Sequence, residues 1–209
     1  MTMPESVSAF ARGPLAWVAG RLKNRPDSEH EQAIIRVVLV GLLALYFGLL
    51  DPAEGAPSTD YVLGFYYAFG YLLTSIGVVG CIVAWPGKSV ARRVFTMFGD
   101  QSTLSALLYF GGDAGAAIYP IYLWITLGYG FRYGVAYLRP AAILSFLGFL
   151  AVTLISEFWS VDHPLSIGLL LGLIILPAYS AKLIRNLTEA KAQAEEANTA
   201  KSRFLATMS

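Results

Sequence analysis

The sequence predicts an all-α membrane protein: six transmembrane helices with both ends on the cytoplasmic side, followed by a cytoplasmic parallel coiled-coil helix. Three observations predict it. Charged residues are only 14% of the 209 and apolar ones reach 56%, with a mean hydropathy of +0.58; a soluble domain carries about 25% charged residues. The apolar residues come in long unbroken runs, where a soluble core would give periodic stripes. Finally, the basic residues gather at alternate ends of those runs.

Six runs approach the length needed to cross a hydrocarbon core of about 30 Å. They are Ile34–Leu50, Tyr61–Trp85, Val94–Phe110, Ala116–Phe131, Pro140–Ser156 and Leu165–Ala181. In lipid every backbone polar group must be paired, which leaves helices or a closed barrel. The runs lack the two-residue alternation of barrel strands, so they are expected to be helices.

Orientation follows from the Lys and Arg residues, which stay on the cytoplasmic side. Arg12, Arg21, Lys23 and Arg25 precede the first run, and the next connection carries only Asp51, Glu54 and Asp60. Lys88, Arg92 and Arg93 follow, then a Gly-rich turn with Asp113, then Arg132 and Arg139. Glu157 and Asp162 come next, and Lys182, Arg185 and Lys191 close the series. Basic and non-basic flanks alternate throughout, which places both ends inside. The first 33 residues show no apolar core with a cleavage site, so the first span is expected to be an uncleaved anchor.

Three segments result: a cytoplasmic N-terminal stretch with an interfacial helix (1–33), a six-helix transmembrane domain (34–181) and a cytoplasmic coiled coil (182–209). In the first, Leu15, Trp17, Val18 and Leu22 lie among basic residues, as in helices that rest in the membrane interface. Pro26 ends that helix, and Ser28 with Glu31 reads as a capping box opening the first span. In the last segment Ala, Glu, Lys and Gln, all good helix formers, replace the apolar run. With Leu183 at d, the frame continues through Leu187, Ala190, Ala194, Ala197, Lys201, Phe204 and Met208 without a stagger. A seam of alanines pairs weakly and can shift register, which suits a helix that relays motion.

Within the spans, Asp100 lies about 9 Å below the cytoplasmic boundary at 1.5 Å per residue. Gln101, Ser102, Thr103 and Ser105 surround it with polar groups, and Arg132 and Arg139 are expected at similar depth. An ionisable group there faces a partner or a cavity. One reading is a structural ion pair between Asp100 and an arginine, Arg132 first. The other is a lipid-accessible pocket in which an arginine holds a carboxylate while an alkyl tail lies between helices. Gly128, Gly130 and Gly134, with Tyr129, Phe131, Tyr133 and Tyr137, favour the pocket by permitting close approach. Gly168 and Gly172 form a possible helix contact, and Pro177 a hinge. Cys81 is the sole cysteine; it reads as a small apolar filler without metal-ligand company.

Several stretches carry resemblances. Ala200-Lys201-Ser202-Arg203-Phe204-Leu205-Ala206-Thr207-Met208-Ser209 resembles the opening of the dimerisation and phosphoacceptor helix of sensor histidine kinases, in which a histidine and a glutamate come next. Arg25-Pro26-Asp27-Ser28-Glu29-His30, Arg92-Arg93 with Asp100, Trp124 to Gly134, and Tyr137-Leu138-Arg139 resemble the RpfC-type hybrid sensor kinases. Gly128 to Gly134 is also similar to sensors of α-hydroxyketone autoinducers. Tyr129 departs from the asparagine expected in those relatives.

These resemblances imply the input half of a two-component quorum-sensing kinase in the bacterial inner membrane, responsive to cis-2-unsaturated fatty acids. They imply a homodimer, a downstream response regulator or receiver domain, and ATP with Mg in a kinase half. This chain is expected to hold no catalytic residue, cofactor or metal and to bind no nucleic acid. Ligand contacts implied by resemblance are Arg25, Asp27, Ser28, Glu29, His30, Gln32 and Trp124; the residues themselves add Asp100, Gln101, Tyr129, Arg132, Tyr133 and Arg139. The family's assignment puts the N-terminal contacts outside the cell, whereas the charge pattern puts them inside. A small transporter built on Asp100, or a passive anchor for a cytoplasmic enzyme, are the alternatives. Transport needs no coiled coil, and an anchor needs no intramembrane acid.

Overall fold

A computed structural model describes residues 28–49 and 59–208, and there the chain is helical without strands. Its helices are α1 (Glu29–Leu49), α2 (Thr59–Ala84), α3 (Val90–Ala116), α4 (Pro120–Tyr133), α5 (Val135–Ile155), α6 (Glu157–Val161) and α7 (His163–Met208). Each of the six apolar runs coincides mainly with one helix, α1 to α5 and the first part of α7, the fourth run beginning at the last residue of α3. Among the described residues, α1, α2, α5 and α7 are long and apolar enough to cross a membrane. At 21 residues α1 and α5 are each about 31 Å long, a single bilayer core. Helix α3 is longer, at 27 residues, but it carries Arg92, Arg93, Asp100 and Asp113. Helix α4 has only 14 residues.

The chain divides between Gly99 and Asp100 into two compact units. In the first unit α1 and α2 pack antiparallel. Ala33 meets Val78 and Ile82 at one end, and the Phe47 and Tyr61 rings lie 5.1 Å apart at the other. The start of α3 runs back along α2, where the Tyr71 hydroxyl donates to the Thr96 carbonyl at 3.4 Å. Outward-facing Val38, Leu42, Leu45, Leu73 and Ile76 remain exposed, a surface suited to lipid rather than water.

In the second unit, the remainder of α3, α4 and α5 form an antiparallel series around buried Tyr122, Thr126, Ser145 and Phe149. Phe149 packs edge-on against Tyr119, Tyr122 and Trp159 at 4.9, 6.1 and 5.1 Å. The short α6 inserts Trp159, whose indole N–H donates to the Leu108 carbonyl at 3.1 Å. Asp162 then opens α7 by accepting from the Leu165 amide at 3.1 Å. From there α7 continues unbroken for 46 residues, about 69 Å at 1.5 Å per residue and more than twice a bilayer core.

Two expected connections are built differently. The polar turn at Asp113 is absorbed into α3, which kinks at Gly112 (φ 50°, ψ −120°), a conformation open to glycine because it lacks Cβ. The chain turns instead just before Pro120, where Ile118 and Tyr119 donate to Gly115 and Ala116. The connection expected from Arg132 to Arg139 shrinks to Gly134 alone. Its φ of 84° and its N–H bond to the Gly130 carbonyl at 2.8 Å end α4, and α5 begins at once. Arginine is a good helix former, so Arg132 and Arg139 lie within α4 and α5 without breaking either helix.

Candidate functional site

Two buried polar clusters occupy the interior, one in each unit. In the first, Glu29, Gln32 and Arg36 fall at i, i+3 and i+7 and share the buried stripe of α1. Glu29 is only 5% exposed and Arg36 6%. Arg92 of α3 grips the Glu29 carboxylate with both arms of its guanidinium, Nε to Oε1 at 2.5 Å and Nη2 to Oε2 at 3.0 Å. The same guanidinium donates to the Gly87 carbonyl at 2.9 Å, so it also pins the turn before α3. Bidentate geometry of this kind is the strong form of a carboxylate–arginine contact. The neighbouring His30 has a buried Nδ1 without a hydrogen-bond partner among the described residues.

The second cluster is a row of neutral groups with one acid at its end. The Tyr129 hydroxyl donates to Asp100 Oδ2 at 2.9 Å, and both residues are buried. Gln101 Nε2 donates to Thr126 at 3.4 Å. Thr126 and Ser145 share a hydrogen bond of 2.5 Å, and Ser105 shares one of 2.6 Å with Tyr122. Gln101 Oε1 is buried and has no partner among the described residues. Gly148 makes this row possible: a Cβ there would lie 2.5 Å from Ser105 Oγ and 3.2 Å from the Tyr122 oxygen.

Of the residues singled out from sequence, Arg25 and Asp27 lie outside the described residues. Glu29 and Gln32 gather in the first cluster with the half-buried Ser28 and His30 nearby. Asp100, Gln101 and Tyr129 gather in the second, and the Tyr133 ring lies between those of Tyr129 and Tyr137, tilted to each, at 6.0 and 5.2 Å. The Asp100–Arg132 pair is not formed. Tyr129 supplies the donor to Asp100, and Arg132 makes no ion pair among the described residues. Trp124 is half exposed on the outer surface. Two glycines of the cluster serve packing and turning: a Cβ on Gly130 would lie 2.9 Å from Leu138 and 3.2 Å from Ile184, and Gly134 makes the α4–α5 corner.

Arg139 lies instead on a groove of about 550 Å³ between α5 and α7, which it lines together with Arg185. A second groove of about 630 Å³ lies between α1 and α2, walled by Phe47, Tyr61, Phe65 and Phe69 and free of charge. Among the described residues no group of three or more His, Cys, Asp or Glu is placed to hold a metal ion.

These features define an all-helical chain with bilayer-length apolar helices, buried polar clusters and an exposed helix leading out of its last apolar segment. The chain is similar to the sensory/regulatory protein RpfC of Xanthomonas campestris pv. campestris, both of strain ATCC 33913 and of strain 8004. The identity is 38% over 198 residues, 95% of this chain and 27% of each relative. The chain thus spans about a quarter of the length of the curated relatives it matches. No protein-family model matches it, and no solved structure does.

Proposed function

We infer that the chain is the membrane sensor region of an RpfC-type two-component quorum-sensing histidine kinase, responsive to a lipophilic autoinducer of the cis-2-unsaturated fatty acid class. The observation that carries this reading is α7, one unbroken helix joining an apolar span to a wholly exposed tail. The similarity to a sensory/regulatory protein over 95% of the chain supports it. In this arrangement all six apolar helices cross the bacterial inner membrane and both ends are cytoplasmic. Residues 182–209 pair with a second copy through the alanine seam and feed a kinase half. That half uses ATP and Mg to phosphorylate its own histidine and passes the phosphoryl group to a receiver domain or response regulator.

The Glu29–Arg92 pair suggests how a carboxylate signal is read. Its carboxylate can replace that of Glu29 in the grip of Arg92 and free the start of α1. Binding changes output only through a difference in affinity between two packings of the bundle, which exchange of one carboxylate for another provides. Chain length supplies most of the affinity, at about 0.8 kcal/mol per buried methylene.

The test joins the chain to its kinase half in nanodiscs and follows autophosphorylation against a fatty-acid series. Activity should respond more sensitively as the chain lengthens, and Ala190→Leu, Ala194→Leu and Ala197→Leu together should lock the seam and abolish the response. If neither fatty acids nor α-hydroxyketones alter activity, the sensor reading fails. For topology, Cys81→Ser comes first, because Cys81 is exposed. Single cysteines at Ser58 and Ser160 should then react with an impermeant thiol reagent from outside, and one at Ser8 should not.

A further inference from the structure

The groove between α5 and α7 has a polar rim at one end only. Leu138 and Ile184 both lie against Gly130, and the next residues on each helix, Arg139 and Arg185, line the same end of the groove. Both are exposed, and neither has a hydrogen-bond or ion-pair partner among the described residues. Below them the walls are apolar, including Phe146, Leu147, Leu173 and Pro177. From the arginines to Leu147 and Leu173 the groove runs about 12–18 Å at 1.5 Å per residue. That is the depth of one leaflet, about 15 Å. Ile143, Leu147 and Ile174 on its borders are half exposed or more, so the groove opens sideways to the bilayer.

We propose that this groove holds an anionic phospholipid of the cytoplasmic leaflet, with its phosphate between Arg139 and Arg185 and an acyl chain along the apolar floor. The leaflet rests on the topology inferred above. A lone carboxylate satisfies one guanidinium fork, whereas a phosphate offers oxygens to both, and basic pockets between spans on the cytoplasmic side suit such headgroups. The bound lipid ties α5 to α7 just where α7 leaves the membrane. Membrane composition then biases the same helix that carries the signal.

The experiment places the full chain in nanodiscs of phosphatidylcholine with or without phosphatidylglycerol and counts retained lipids by native mass spectrometry. Two arginines should favour the anionic lipid by roughly 30-fold, and Arg139→Gln with Arg185→Gln should erase that preference while leaving phosphatidylcholine retention unchanged. Ile143→Trp, which keeps both arginines and fills the groove, should expel the lipid too, with helicity by circular dichroism reporting the fold. Equal phosphatidylglycerol retention by parent and variants overturns the proposal. So does displacement of the lipid by a cis-2-unsaturated fatty acid, which would make the groove the signal's own site. Because the readout is bound lipid and not kinase output, failure of the sensor reading leaves this result distinguishable.

Discussion

The two units solve the same problem, polar groups inside an apolar bundle, in opposite ways. The first holds an ion pair between buried Glu29 and largely buried Arg92, residues 63 apart in sequence. The second distributes its polarity over hydroxyls and amides, Thr126, Ser145, Ser105, Tyr122 and Gln101, with Asp100 capped by Tyr129. An ion pair is all or nothing, because removing one member strands a buried charge. A hydroxyl row degrades in small steps, since each neutral bond contributes about 1 kcal/mol. A two-state latch is therefore better placed in the first unit, and a rigid frame in the second.

The largest expected effect breaks the latch. Arg92→Met takes the bidentate guanidinium away from the buried Glu29 carboxylate and should destabilise the protein by about 3–5 kcal/mol. Adding Glu29→Gln should recover most of that, and unfolding in mixed micelles gives the cycle. Additive losses would mean that the pair is not coupled.

Next comes the frame. Gly148→Ala drives a methyl into Ser105 and Tyr122 and should cost about 1–3 kcal/mol. Ser105→Ala makes room, so the double variant should recover part of the loss. No recovery would place the strain elsewhere.

The smallest effect concerns Tyr129 and Asp100. Coupling between Tyr129→Phe and Asp100→Asn should be about 0.6 kcal/mol and at most about 1.7, the range for hydrogen bonds between membrane helices. A cycle of Asp100→Asn with Arg132→Gln should show none. Coupling to Arg132 larger than to Tyr129 would restore the ion pair that the charge pattern suggested.

What the sequence disclosed and what it hid follow from the range of each signal. A bilayer-length apolar run is a local property, so the helices around Ile34–Leu50 and Pro140–Ser156 were legible without any tertiary information. Partner choice is not local. Arg92 stood out as part of a basic flank, but nothing in the chain indicates that it reaches Glu29. The spacing of Glu29, Gln32 and Arg36 on one helical face was the available clue that α1 buries charge. Tyr129 was read as part of an aromatic pocket, and nothing local indicates that its buried hydroxyl donates to Asp100. Arg185 counted only as a cytoplasmic charge, and its place beside Arg139 depends on the α5–α7 packing that the sequence leaves open.

One feature of α7 sets how far a small change can reach. Pro177 lies inside the helix and is buried; lacking an N–H, it leaves the Leu173 carbonyl without its usual helical donor. The helix is softest at that point and stiff beyond it. From Pro177 to Met208 it extends about 46 Å, so a bend of about 10° at the proline, well below a sharp kink, carries the far end sideways by about 8 Å. The proline is the fulcrum of a lever, and side-chain-sized rearrangements among the spans become domain-sized displacements at its tip.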